Sequence, residues 1–140
     1  MSPFLWLLLG SVGVAIAAVL AKRWSFQRMP DLDDSEFVDI YNQTFEGDEV
    51  AIVSERRFIA KVLGVPYGKL RPNHRFKELS KLHFDVGYEV GMSDLEDILI
   101  DLSQRASIEV PSDFPETVGE CIFALLTVRK KLGDIPDQLP

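Results

Sequence analysis

Ser93 is the side chain whose neighbours say most about possible chemistry. It stands in the run Gly91-Met92-Ser93-Asp94-Leu95-Glu96-Asp97, continued by Ile98-Leu99-Ile100-Asp101-Leu102. A serine just ahead of an apolar-periodic stretch, with a glutamate three residues on, is the capping-box pattern that opens a helix. Asp94, Glu96 and Asp97 would then occupy the first turn, where the positive end of the helix dipole favours carboxylates. Leu95, Ile98, Leu99 and Leu102 make one apolar face, and Asp94, Asp97 and Asp101 lie on the other, with only Arg105 to offset them. Three carboxylates on one helix face produce a negative field that speeds encounter with a basic partner and penalises an acidic one. That is docking chemistry, not bond-making chemistry. The other reactive side chains assemble no catalytic set. His74 and His83 have no partner at ligand or triad spacing and are expected in loops or on the surface. Cys121 is the only cysteine, so it has no internal disulfide partner. No basic neighbour in sequence would lower its pKa, and it reads as a packed residue. The sequence therefore predicts a protein that is not an enzyme and has no metal site.

Charge narrows the partners. The 140 residues carry 22 acidic and 15 basic side chains, a formal net charge of −7. None of the charged side chains precedes Lys22, so the whole imbalance belongs to the chain beyond it. Nucleic acid is excluded as the main partner, because phosphate binding needs a basic surface. Residues 3–21, PFLWLLLGSVGVAIAAVLA, are uncharged and almost wholly apolar. As a helix they would extend about 28 Å, close to the hydrocarbon thickness of a bilayer. Trp6 near one end, and Lys22, Arg23 and Trp24 beyond the other, suit interfacial anchors. A cleaved signal peptide is the competing reading, but no Lys or Arg precedes the apolar run as an n-region requires. Lys22, Arg23 and Arg28 place the positive charge on the C-terminal side, which predicts a single-pass membrane protein with a cytoplasmic domain. A bacterial inner membrane is the expected setting.

The elements that must position Ser93 and its acidic neighbours follow from periodicity. Phe37, Ile40, Tyr41 and Phe45 predict a short helix over 34–45, ended near Gly47. A second helix is expected over 48–63, with Val50, Ile52, Val53, Phe58, Ile59, Val62 and Leu63 buried. Glu55, Arg56, Arg57 and Lys61 are expected to face water. Gly64 ends it, and a long loop follows in which Leu70 and Phe76 are the buried pegs. Phe84, Val86, Tyr88 and Val90 alternate with polar or small residues, which suggests either an extended segment laid across helices or a short hairpin. The acidic helix is expected over 93–106, then a link through Ile108 and Val110 to Pro111, and a single turn at 112–114. The closing helix, 117–131, opens on a second capping box, Thr117 to Glu120, and buries Val118, Ile122, Leu125, Leu126 and Val128. Residues 133–140 read as a loose tail.

Four segments then take on a common meaning. They are Leu63-Gly64-Val65, Leu70-Arg71-Pro72-Asn73-His74-Arg75-Phe76, Ser107-Ile108-Glu109-Val110-Pro111 and Thr117-Val118-Gly119-Glu120. In this order around an acidic second helix they resemble the acyl carrier protein family over about residues 54–126. The first resembles the end of that family's first helix, and the second its loop of an apolar residue, a proline and a phenylalanine. The third is similar to its Gly-Ile-Glu-Ile-Pro segment, and the fourth to the Thr-Val-Gly-Asp opening of its last helix. The resemblance implies a small four-helix carrier with 4′-phosphopantetheine on the serine of an Asp-Ser-Leu motif, where the thiol chemistry belongs to the arm. Here the motif departs. With Pro111 set on the family's proline, Met92 falls on the attachment serine and Gly91 on its aspartate. Ser93 is one residue late and is followed by Asp94.

The resulting expectation is an all-α chain: an acyl-carrier-like helical bundle preceded by a single N-terminal transmembrane helix. Residues 1–21 form the anchor, 22–47 a juxtamembrane linker and short helix, 48–132 the domain and 133–140 the tail. Its function is to dock a basic, membrane-associated protein partner through Asp94, Asp97 and Asp101, with no cofactor. The alternative is a functional carrier modified at Ser93 that presents thioester-bound acyl groups to membrane enzymes.

Overall fold

Helix ends follow from local chemistry. The computed structural model describes residues 2–82, 86–110 and 112–133. Helix α1 (Pro3–Arg28) starts at Ser2, whose side chain accepts the Phe4 N–H, with proline in the first turn. Asp33 caps α2 (Asp34–Asn42) through the Glu36 N–H, and Asp48 caps α3 (Glu49–Leu63) through the Ala51 N–H. Gly64, at φ 68°, closes α3. After a 3-10 turn at Tyr67–Lys69 come α4 (Phe76–Leu82) and α5 (Val86–Arg105). Thr117 then opens α6 (Val118–Leu132) with a complete capping box to Glu120. Among the described residues there is no strand, only an isolated antiparallel bridge between Arg75 and Thr117. The expectation of an all-α fold with one long apolar N-terminal helix holds.

Helix α3 is the axis of the core, touching α2, the 3-10 turn, α5 and α6, while α5 and α6 also touch each other. Ile52, Ile59 and Leu63 of α3 meet Leu95, Leu99 and Leu102 of α5 and Val118, Ile122 and Leu125 of α6 in one buried cluster. Phe37, Val38 and Tyr41 of α2 belong to the same cluster. Leu70 and Phe76 are buried as expected, but Val50 is exposed. The stretch expected as irregular loop contains α4, which buries Phe76 and Leu79 one turn apart and packs against α1.

The acidic helix starts earlier than the sequence suggested. Its described beginning is Val86, so the extended or hairpin reading of 84–90 is replaced by the first turns of α5, with Phe84 and Asp85 outside the described residues. Ser93 is therefore inside the helix and caps nothing. The reason is Gly91, which reads as a breaker but works as a spacer. A Cβ there would lie 2.3 Å from the Val62 carbonyl oxygen, so only glycine lets α5 cross α3 this closely. Tyr88, Leu95, Leu99 and Leu102 then form one buried helical stripe, and the Tyr88 hydroxyl donates to the Phe76 carbonyl at 3.0 Å. The tail expected beyond Gly133, and His83, also lie outside the described residues.

Helix α1 differs from all the others. It is 26 residues long, and its best 18-residue window has a mean hydropathy of 2.4 with none of it buried inside the protein. Most of the exposed large apolar side chains of the described residues, from Phe4 to Trp24, stand on it. The chain thus has one N-terminal helix long and apolar enough to cross a membrane. Its last turns join the domain, where Phe26 is buried and its ring lies 5.9 Å from that of His74.

Truncating the core checks this packing. Leu99→Ala and Ile122→Ala should each cost about 2–5 kcal/mol in denaturant unfolding. Gly91→Ala should cost about 1–3 kcal/mol by overpacking, despite alanine's better helix propensity. A stabilising Gly91→Ala would mean that α3 and α5 do not cross at this point.

Candidate functional site

The face of α5 turned away from α3 carries the residues singled out from the sequence. Glu89, Ser93, Asp94, Glu96, Asp97 and Asp101 are all exposed. Ser93, Asp97 and Asp101 succeed one another at helical spacing along one stripe, and Asp94 lies beside them. The structure therefore brings Asp94, Asp97 and Asp101 onto one surface, and Glu89, one turn nearer the helix start, extends it. Arg105 Nη1 is 3.9 Å from Asp101 Oδ2, and both side chains are solvent-exposed. A pair of that kind contributes little and leaves the row predominantly anionic. Ser93 offers an accessible hydroxyl seven residues past Val86, on the side of the helix and not at its mouth. His74 is engaged elsewhere. Its Nδ1 accepts the Arg71 N–H at 3.1 Å, and burial followed by the Arg71 charge lowers its pKa.

A second group of polar residues fastens this body to α1. Arg56 is fully buried, whereas the sequence placed it in water. Its Nη1 donates to Asp34 Oδ1 at 3.0 Å, and its Nη2 to the carbonyls of Leu32 at 2.8 Å and Leu70 at 3.2 Å. The guanidinium lies between the rings of Phe37 and Tyr67, 4.4 and 4.2 Å from their centroids. Tyr67 donates its hydroxyl to Asp34. Lys69 donates to the Met29 carbonyl and pairs with Asp31 at 2.9 Å. Arg71 donates to the Pro30 carbonyl at 2.8 Å. The Leu32 N–H bonds the Gly68 carbonyl at 2.9 Å, and a Cβ on Gly68 would meet Asp31 at 2.7 Å. Residues 29–34, the link from α1 and the first residue of α2, are thus clamped by Arg56, Lys69 and Arg71.

A third polar group lies in the core. Glu55, also expected in water, is 1 % exposed and in contact with Arg129 of α6, itself 2 % exposed. The contact is one of charge without an aligned hydrogen bond, since neither Glu55 oxygen nor Arg129 Nε has a hydrogen-bond partner. Burial raises the Glu55 pKa, and Arg129 only partly offsets this. Cys121 is buried, and burial with the Glu55 charge pushes its thiol to about 12, so it is packed and protonated at neutral pH. A sequence signal for both charged residues did exist. Arg56 falls in the Ile52–Ile59–Leu63 stripe at spacings of four, three and four, and Glu55 lies on its edge.

The sign of the Glu55 effect can be measured. Its folded pKa exceeds the ordinary 4.5, so its contribution to stability is fully present below 4.5 and is lost as pH rises through the raised value. Arg129→Met, which leaves the carboxylate uncompensated, should cost about 3–5 kcal/mol at neutral pH and less at pH 5. Glu55→Gln with Arg129→Met should recover much of that loss and flatten the dependence. Denaturant midpoints of Arg129→Met that do not change between pH 5 and pH 8 would contradict this assignment.

Among the described residues no cluster of His, Cys, Asp and Glu is arranged to hold a metal ion. No family model, curated protein or solved structure matches the chain.

Proposed function

We propose that the protein is a membrane-tethered docking module in which α1 crosses the bilayer and the acidic face of α5 receives a basic protein partner. The observation that carries the reading is the exposed row Glu89, Asp94, Asp97 and Asp101 on a body clamped to an apolar helix. A negative row held near a bilayer attracts positive surfaces of membrane-associated proteins and repels acidic ones. Lys22, Arg23 and Arg28 follow the apolar run, which supports a cytoplasmic domain. The module acts by placement and has no catalysis of its own.

A carrier role remains the second reading, and it rests on the resemblance to acyl carriers. Leu63-Gly64 does end a helix, and Thr117-Val118 does open one, as the resemblance implies. Ser93 is exposed. Its place along the side of α5, away from the helix start where the family carries its arm, favours the unmodified module. In the carrier reading the protein would hold 4′-phosphopantetheine on the Ser93 hydroxyl.

Two measurements separate these readings. Intact mass of protein purified from its native host should equal the unmodified chain, and an added phosphopantetheine mass that Ser93→Ala removes would establish the carrier instead. Replacing Asp94, Asp97 and Asp101 by lysine should change stability by at most about 0.5 kcal/mol per site, because all three are exposed and lie beyond the first turn. The same variant should lose at least about tenfold in partner recovery from membranes at physiological salt. Unchanged recovery would exclude this helix as the docking surface.

A further inference from the structure

An open groove of about 900 Å³ lies where α1 meets α4. Lys22, Arg28 and Lys81 line it, against one carboxylate, Glu78. This is a local excess of positive charge on a chain whose net charge is −7. None of the three cations is in an ion pair with a carboxylate among the described residues. Arg28 is held in place, its guanidinium 3.8 Å from the centroid of the Trp24 ring. The lining also has an apolar part that includes Val19, Phe26 and Leu82.

The depth of the groove along α1 is informative. The apolar run stops at Ala21, and the groove's lining residues on this side begin at Val19 and end at Met29, with Arg23 not among them. At 1.5 Å per residue, Met29 lies about 12 Å beyond Ala21. The interfacial layer on each side of a bilayer is about 5–7 Å thick. With α1 in the membrane, the groove begins at the edge of the hydrocarbon, crosses the headgroup layer and opens above it. Its apolar end faces acyl chains and its cationic rim faces phosphates.

From this geometry we infer that the α1–α4 groove seats the phosphate of an anionic phospholipid from the surrounding leaflet. Lys22 and Arg28 approach it from α1 and Lys81 from α4, while the glycerol and upper acyl carbons lie on Val19 and Leu82. The bound lipid bridges the membrane helix and the domain. A generic basic collar after a membrane helix would use Lys22 and Arg23 alike and would ignore α4. The groove makes the opposite demand, because Arg23 is absent from its lining and borders instead an adjoining hollow with Pro66 and Lys69, across Phe26 and Leu82. The inference rests on α1 being a membrane helix.

The test uses the full chain in bilayer nanodiscs of phosphatidylcholine containing a minor fraction of spin-labelled phosphatidylglycerol or spin-labelled phosphatidylcholine. The native protein should immobilise the anionic probe preferentially. Lys81→Gln should lower that preference about fivefold, and Lys22→Gln with Arg28→Gln should lower it further. Arg23→Gln, and Lys130→Gln with Lys131→Gln on α6, should leave it nearly unchanged. Equal effects of Arg23→Gln and Lys81→Gln, or no preference in the native protein, would overturn the groove. Millimolar inorganic phosphate should not displace the probe, and displacement would overturn the assignment to a lipid. Failure of the chain to enter nanodiscs, or its recovery as a lipid-free soluble protein, would instead overturn the membrane reading of α1. Circular dichroism of each variant should match the native spectrum, since the substituted side chains are exposed.

Discussion

The buried Arg56 guanidinium is the contact on which the arrangement of the chain depends. A charge taken fully out of water is tolerated where hydrogen bonds and polarisable neighbours compensate it. Arg56 draws that compensation from two segments through its two terminal nitrogens, while its Nε has no hydrogen-bond partner. It takes a carboxylate from the start of α2, carbonyls from Leu32 and Leu70, and ring faces from Phe37 and Tyr67. Replacing it by an apolar side chain would orphan carbonyls in both segments at once. The guanidinium thus specifies geometry more than it adds net stability. Its consequence reaches beyond the core. With Lys69 and Arg71 it holds the backbone of residues 29–34, so the polar run after the apolar helix is a strap and not a slack tether.

Placement follows from that strap. Phe26 is buried and α4 lies along α1, so the domain meets the apolar helix through side-chain packing as well as through the chain itself. Gly91 sets the second relationship, the close crossing of α5 over α3, and with it the direction in which the acidic row faces. In the proposed setting, the row on α5 is offered to proteins near the bilayer, and the cationic groove at α1 and α4 addresses the bilayer itself. One acidic chain would then carry two surfaces of opposite sign with separate tasks.

Much of this was legible in the sequence where the signal is local. Asp48 and Gly64 bound α3, and Thr117 with Glu120 opens α6, because capping is decided within a turn of chain. Asp94, Asp97 and Asp101 read correctly as one exposed surface for the same reason. What failed was non-local. Gly91 looks like a helix stop until the Val62 carbonyl is placed beside it. Ser93 then looks like a cap when it stands mid-helix. Glu55 and Arg56 look like a solvated face until Arg129 and the strap carbonyls arrive from elsewhere in the chain. Helix α4 is too short to show a clear period, and its helical state depends on burying Phe76 and Leu79. The groove was illegible because Lys22, Arg28 and Lys81 come together only in the fold.

The strap can be examined directly by electron–electron resonance distances in nanodiscs. Spin labels on α1 at Leu20 and on α5 at Asp101 report across it, and Cys121, buried with its thiol protonated, should resist labelling. A single narrow distance distribution is expected for the native chain, broadening when Lys69 and Arg71 are both replaced by glutamine. A broad distribution in the native protein would contradict the clamp and return residues 29–34 to the status of a flexible tether.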